Sequence, residues 1–289
     1  MTYIQFLLLL SVLPSIALGV MIYKKDIVEK EPPGLLFKLF LGGAIGSVIL
    51  TILLSIVLDQ IIPDLEDSTN INFIYLAITT FFKVALVEEF SKWIFLKIIT
   101  WKNKEFNYIY DAIVYAVFVA LGFATIENIL YVFGSENGIS IAILRAILSV
   151  PGHAFDGVFM GCYYGLAKQA KINNNVKLFK KNMILSLLIP TVFHFIFDYL
   201  LLSENSILLI LYLVFIILLY INAFKRINQL SNIRESIDGK EVIYNNSSNV
   251  TENNLQVAYQ TIIINHRYCT NCGNLVNGNF CSVCGKKVE

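Results

Sequence analysis

Charge is what this 289-residue chain has least of: Asp, Glu, Lys and Arg make up 15% of it. Soluble domains carry about 25% charged residues. With 56% hydrophobic residues and a mean hydropathy of +0.66, the scarcity excludes an ordinary soluble domain. The net charge of +1 gives no basic surplus for a nucleic-acid partner, and none is predicted. Histidine occurs three times and cysteine five times, and four of the cysteines fall within the last 21 residues. A disulfide framework is therefore excluded from the bulk of the chain.

What is present in quantity is long apolar stretches. They run near 3–23, 35–62, 72–100, 109–133, 139–168, 182–203 and 206–224, and a membrane-spanning helix needs about 20 residues. The fold class predicted is an all-α polytopic membrane protein of about seven transmembrane helices. Pro151-Gly152 interrupts the fifth stretch and predicts a short interfacial helix before the span proper. The first stretch resembles a signal peptide in length but lacks a basic start, so it reads as a first helix with its N-terminus outside.

Lysine and arginine orient the bundle. Lys24, Lys25, Lys30 and Lys38, then Lys102 and Lys104, then Lys168 to Lys181, then Lys225 and Arg226 mark alternate connections. The intervening connections DQIIPDLEDSTN, GSENG and SEN have none. The positive-inside rule predicts a multi-pass cell-membrane protein with the N-terminus outside and the C-terminus cytoplasmic.

Three regions follow from composition: a transmembrane domain over 1–225, a flexible polar linker over 226–267, and a small module over 268–289. Asn246-Ser247-Ser248 and Asn249-Val250-Thr251 match glycosylation sequons by chance if this side is cytosolic. The terminal module holds Cys269-x-x-Cys272 and Cys281-x-x-Cys284, with Gly273 and Gly285 after the pairs. Two such turns complete a closed tetrahedral four-cysteine site, which predicts a structural zinc in a cytosolic zinc ribbon. Cys162, alone in GCYYG, reads as a packing residue beside Gly161 and Gly165.

The spans retain few ionisable groups, and a charge at the bilayer centre costs roughly 2.5–3.5 kcal/mol on insertion scales. They are Lys83, Glu88, Glu89 and Lys92, then Glu127 with Asn128, then Arg145, His153 and Asp156, then His194 and Asp198. Lys97 and Asp111 lie near the cytosolic interface and need no special explanation. Counted from cytosolic markers, Glu88, Glu127, His153 and His194 stand 13 to 17 residues in. At 1.5 Å per residue that is about 20–25 Å for all four. Carboxylates and imidazoles from four helices thus share one layer, the mark of a site rather than of scattered structural pairs.

Helical spacing adds detail. Glu88 and Lys92 are i,i+4, as are His194 and Asp198, so Asp198 can fix the tautomer of His194. Burial disfavours a charged Glu88 while Lys92 favours it, a balance suited to a general base. Glu89, turned about 100° away, orients Glu88, binds a neighbouring helix or shares a proton. Lys83 is off that face and reads as a residue that snorkels or faces another helix. Arg145 reads equally as an interfacial anchor, Asp156 as a partner of His153, and Asn128 as an interhelical hydrogen-bonding residue.

In order, the motifs are Glu88-Glu89-x-x-Lys92, Phe123-x-x-x-Glu127-Asn128, Arg145 leading to SVPGHA with His153, and His194-x-x-x-Asp198. Over roughly residues 1–225 this resembles the PrsW family of bacterial intramembrane proteases, related to the group containing CAAX prenyl endopeptidases and bacteriocin-immunity proteins. The resemblance implies cleavage of a single-pass membrane protein, of which an anti-sigma factor is the best-known type. It also implies that activity depends on Glu88, Glu89 and His194. The wider group has a histidine where this chain has Glu127, so a glutamate–histidine pair cannot be copied from it, and His153 is open as its replacement. The mechanism preferred on sequence is metal-free: Glu88, helped by Glu89 or Glu127, deprotonates water, and His194 held by Asp198 acts as acid. His153 is a second candidate for either role. The alternatives are a zinc-dependent version of the same protease and a non-enzymatic sensor or transport protein using the buried cluster.

Overall fold

The computed structural model describes residues 2–62, 72–233 and 236–238, with two short strands at 267–268 and 275–276. The first of its two compact units, residues 1–241, is helical wherever it is regular among the described residues. It comprises α1 (Tyr3–Lys25), α2 (Pro33–Leu41), α3 (Val48–Ile61), α4 (Phe73–Thr79), α5 (Leu86–Thr100), α6 (Ile109–Gly134), α7 (Gly138–Ile147), α8 (Ser149–Ile172), α9 (Val176–Leu202) and α10 (Ser206–Leu230). Stretches of π-helix at Gly42–Ser47 and Thr80–Ala85 join α2 to α3 and α4 to α5.

The protein is a polytopic helical membrane protein. Among the described residues, six helical runs are long and apolar enough to cross a bilayer: Tyr3–Lys25, Pro33–Ile61, Ile109–Gly134, Gly138–Ile172, Val176–Leu202 and Ser206–Leu230. The remaining expected span, the third at 72–100, is continuous helix from Phe73 to Thr100, and it carries the glutamate pair.

Polarity is arranged inside out. Ile49, Ile52, Leu53 and Ile56 of α3 and Ile207, Ile210, Val214 and Ile217 of α10 are exposed, while Glu89, Lys92 and Asn128 are buried. Such a surface suits hydrocarbon, where backbone groups must be satisfied within each helix and side chains facing lipid must be apolar.

Helix α6 is the hub, with α8 and α1 packed along it. Its close contact with α8 depends on glycine: a Cβ on Gly161 would lie 2.5 Å from the Ala112 carbonyl oxygen and from Ile113 Cα. Cys162 is buried beside it, in the packing role expected. A Cβ on Gly43, in the first π stretch, would lie 1.9 Å from the Val119 carbonyl oxygen of α6.

Pro151 falls in the first turn of α8, where its missing N–H costs no intrahelical bond. The break predicted there is present: α7 ends at Ile147 and α8 starts at Ser149. The helix expected to stop near 225 continues to Leu230. Part of the stretch read as flexible linker is also docked: Ile237 is buried and its N–H donates to the Asn107 carbonyl at 2.7 Å. An apolar side chain in a polar run was enough to anchor it.

The second unit, residues 242–289, is described only at the antiparallel pair β1 (Arg267–Tyr268) and β2 (Leu275–Val276), with Arg267 opposite Val276. Cys269, Cys272, Cys281 and Cys284 of the expected zinc ribbon lie outside the described residues.

Candidate active site

The second π stretch ends three residues before Glu88. A π turn shifts the residues after it out of α register, and such turns recur at functional sites. Glu88, Glu89 and Lys92 all point into the protein, with Glu89 and Lys92 almost completely enclosed. Glu89 is the more tightly held: its Oε1 accepts from Lys92 Nζ at 2.7 Å and lies 2.9 Å from His194 Nδ1. Glu88 is 3.6 Å from Lys92 Nζ and 3.8 Å from His194 Nε2, and its Oε2 is buried without a hydrogen-bond partner. The lysine expected to serve Glu88 by i,i+4 spacing therefore serves Glu89, at i+3, more closely.

Lys92 reaches further, to His153 Nδ1 of α8 at 3.0 Å, and stands 4.2 Å over the ring of Phe123 from α6. An ammonium only donates, so Nδ1 accepts and the proton of His153 resides on Nε2. From there it donates to Glu127 Oε2 at 2.8 Å. The same oxygen accepts from Arg145 Nη2 at 2.7 Å, and Arg145 Nε donates to Asn128 Oδ1 at 3.0 Å. Asn128 in turn donates to the Ser11 carbonyl of α1 at 2.8 Å, the interhelical role expected of it. Arg145, open to a reading as mere anchor, is a direct partner of Glu127. It belongs to α7, whose distance from α6 in space the sequence does not specify.

His194 stands between carboxylates. Nδ1 faces Glu89, and Nε2 lies 3.1 Å from Asp198 Oδ2, one turn on along α9. Its ring centroid is 5.2 Å from that of His153. Asp156, expected only to assist His153, joins the cluster: Glu89, His153, Asp156 and His194 each present a ligand atom within 4.8 Å of the others, as do Glu88, Glu127 and His153. The structure thus brings Glu88, Glu89, Glu127, His153, His194 and Asp198 together, with Lys92 and Asn128 in support, and adds Asp156 and Arg145. Lys83 lies apart, paired with Asp59 at 2.6 Å.

The cluster borders a cavity of about 400 Å³. Glu88, Glu127, His153, Asp156, His194 and Asp198 supply polar lining. Tyr131, Leu144, Leu148, Phe197 and Leu201 supply apolar lining. The volume is in the range of small-molecule and peptide pockets, and the few convergent polar groups against apolar walls are their usual make-up.

Charge distinguishes this site from a structural network. Five carboxylates (Glu88, Glu89, Glu127, Asp156 and Asp198) meet two fixed cations, Lys92 and Arg145. Glu88 Oε2, Glu89 Oε2 and Asp156 Oδ1 are buried with no hydrogen-bond partner. Buried carboxylate oxygens are costly when unmatched, so the cluster is suited to holding protons or a metal ion. Two imidazoles with carboxylates fit the donor set of a catalytic zinc.

A bundle of membrane helices enclosing a carboxylate–histidine cluster beside a cavity fits a class, the intramembrane hydrolases. Comparison then narrows it. Residues 31–223 match the family model described as PrsW family intramembrane metalloprotease, and the chain belongs to this family. It is 38% identical over 219 residues to Protease PrsW of Oceanobacillus iheyensis, covering 76% of this chain and 93% of the relative. It is 33% identical over 196 residues to Protease PrsW of Bacillus subtilis, covering 68% and 83% respectively. Against Protease PrsW of Clostridioides difficile the identity is 32% over 217 residues. No solved structure matches the chain. The protein is a multi-pass membrane peptidase.

Proposed function

We propose that this peptidase cuts a membrane-anchored regulatory protein, with an anti-sigma factor as the substrate type, at the cavity bounded by Glu88, Glu127, His153 and His194. The observation that carries the reading is Glu88, which lines that cavity while its Oε2, 3.8 Å from His194 Nε2, makes no hydrogen bond. Glu88 is the base, because Glu89 is already engaged by Lys92 and His194 and Glu127 by Arg145 and His153. It takes a proton from the water that attacks the peptide carbonyl. In a metal-free reaction His194, oriented by Asp198, gives a proton to the leaving amine; with a metal bound it would serve as a ligand instead. His153 holds its own Nε2 proton toward Glu127, and Arg145 fixes Glu127 at the cavity edge. The apolar walls take the side chains of a substrate segment locally unwound from helix.

The surplus of carboxylates moves the reading from the metal-free mechanism preferred on sequence to a metal-assisted one. Glu89, His153, Asp156 and His194 would hold the ion, which would polarise the scissile carbonyl and acidify water. One observation favours the metal-free reading: the Lys92 ammonium already occupies Glu89 Oε1 and His153 Nδ1. Chelation decides between them. Wild type stripped of metal and restored with zinc should lose and regain cleavage of a co-reconstituted single-pass substrate. Cleavage that survives stripping leaves Glu88 and His194 to act alone, and cleavage that survives Glu88→Gln and His194→Ala ends both readings.

The remaining proposals rest on sequence. Lysine placement supports an outside N-terminus and a cytoplasmic C-terminus, and the spacing of Cys269, Cys272, Cys281 and Cys284 supports a structural zinc in residues 268–289, joined by the 226–267 segment to the 1–225 protease domain.

A further inference from the structure

A second carboxylate cluster lies at the lysine-rich end of the bundle, among residues assigned no part in hydrolysis. Asp26 ends α1, Glu31 sits in the turn before α2, and Asp111 is in the first turn of α6. All three are at most 2% exposed. Each offers a carboxylate oxygen within 4.8 Å of the others. Asp111, read from sequence as an interfacial residue needing no explanation, is therefore enclosed.

Their hydrogen bonding is incomplete in a particular way. Asp111 Oδ2 accepts the N–H of Asn107 at 3.0 Å and of Tyr108 at 2.7 Å, and Glu31 Oε2 accepts from the Tyr115 hydroxyl at 2.6 Å. Asp26 also accepts the backbone N–H groups of Glu29 and Val28, and the Glu31 and Asp111 carboxyls are close enough to share a proton. Yet Asp111 Oδ1 and Asp26 Oδ2 are buried with no hydrogen-bond partner. The nearest cation, Lys30, donates to the carbonyl oxygens of Tyr23, Lys24 and Asp26 rather than to these side chains. Glu29 adds negative charge and donates nothing; it accepts from Asn107 Nδ2. Burial pushes Asp26 up to about 6 and Glu31 up to about 7, with Lys30 opposing the shift at Asp26 and neighbouring carboxylates adding to it at Glu31.

We propose that Asp26, Glu31 and Asp111 bind one hard divalent cation (Ca²⁺, Mg²⁺ or Mn²⁺), which fastens the turn after α1 to the start of α6. Two oxygens on a cation of this kind stand at most about 5 Å apart, which the spacing of the three carboxylates satisfies. An all-oxygen set without sulfur or imidazole selects this class over zinc or copper. The ion would neutralise charge that Lys30 leaves unmatched and supply partners for the two orphaned oxygens.

Terbium tests this on the full-length protein in detergent, because Tb³⁺ replaces hard divalent ions and is excited through nearby tyrosine, here Tyr115 on Glu31. After chelator treatment, wild type should give one saturable Tb³⁺ emission, competed by Ca²⁺ or Mn²⁺, and a thermal midpoint that rises with those ions. Asp26→Asn and Asp111→Asn should weaken the emission affinity by at least about tenfold and abolish the ion-dependent rise, while His194→Ala keeps both. Should Asp111→Asn not fold, Asp26→Asn and Glu31→Gln carry the comparison. Wild type showing neither emission nor a shifted midpoint would mean that the cluster holds only protons. Responses unchanged in the Asn and Gln variants would place the ion elsewhere. Either result overturns the proposal.

Discussion

Lys92 Nζ stands 3.0 Å from His153 Nδ1, and an ammonium can only donate there. That contact sets the direction of a relay: Lys92 to His153, then His153 Nε2 to Glu127, 2.8 Å away. A lysine buried to 1% exposure beside two glutamates thus orients the imidazole that faces the cavity while balancing Glu89.

Lys92→Met keeps the side-chain length and removes the cation. Glu89 then loses its closest charge partner and His153 its tautomer lock. Cleavage of a reconstituted substrate should fall by about 10²-fold, with a lower thermal midpoint because an unpaired buried carboxylate remains. Full activity in this variant would leave the relay without a role.

Arg145 and Glu127 are expected to act as one unit across α7 and α6. In a cycle of Arg145→Ala, Glu127→Gln and the double variant, the two effects on cleavage should fall short of additivity by about 1–3 kcal/mol. Strict additivity would show that Arg145 only anchors α7.

Gly161 is expected to be irreplaceable for packing reasons alone. Gly161→Val presses a side chain into the Ala112 carbonyl and should destabilise the fold by about 1–3 kcal/mol or more. Gly134→Ala, with nothing within 4 Å of its added Cβ, is the control, expected within about 0.5 kcal/mol of wild type. Comparable unfolding of the two variants in detergent would contradict the α6–α8 contact.

Asp26 and Glu31 give the stability a pH dependence of definite sign. Both hold their protons in the folded state to higher pH, about 6 and about 7, than an exposed carboxyl does. Their contribution without divalent ions is therefore complete below the ordinary carboxylate range and is lost as pH rises through 6 to 7. Chelated protein should melt at lower temperature at pH 8 than at pH 5.5, and added Ca²⁺ should narrow the gap from the high-pH side.

Much of the membrane architecture is legible in the sequence because lipid imposes a strict rule on composition. The spans, the Pro151 break and the layer shared by Glu88, Glu127, His153 and His194 all follow from apolar length and rise per residue. The His194–Asp198 contact follows from i,i+4 spacing within one helix. Relations between helices do not. Arg145 meets Glu127 only because α7 folds back along α6, and Asp156 enters the cluster by the rotation of α8. Glu89 displaces Glu88 as the residue gripped by Lys92 in a helix whose register a π stretch has shifted. The Asp26–Glu31–Asp111 cluster was masked by depth: near an interface a carboxylate looks ordinary until its burial is known.

The most direct measurement is mass spectrometry of the products made from a single-pass substrate in proteoliposomes prepared in H₂¹⁸O. New termini are expected inside the substrate's transmembrane segment, with ¹⁸O in the new carboxyl group and no product from Glu88→Gln or His194→Ala. Cuts confined to soluble loops, or the same products from either variant, would contradict the proposed function.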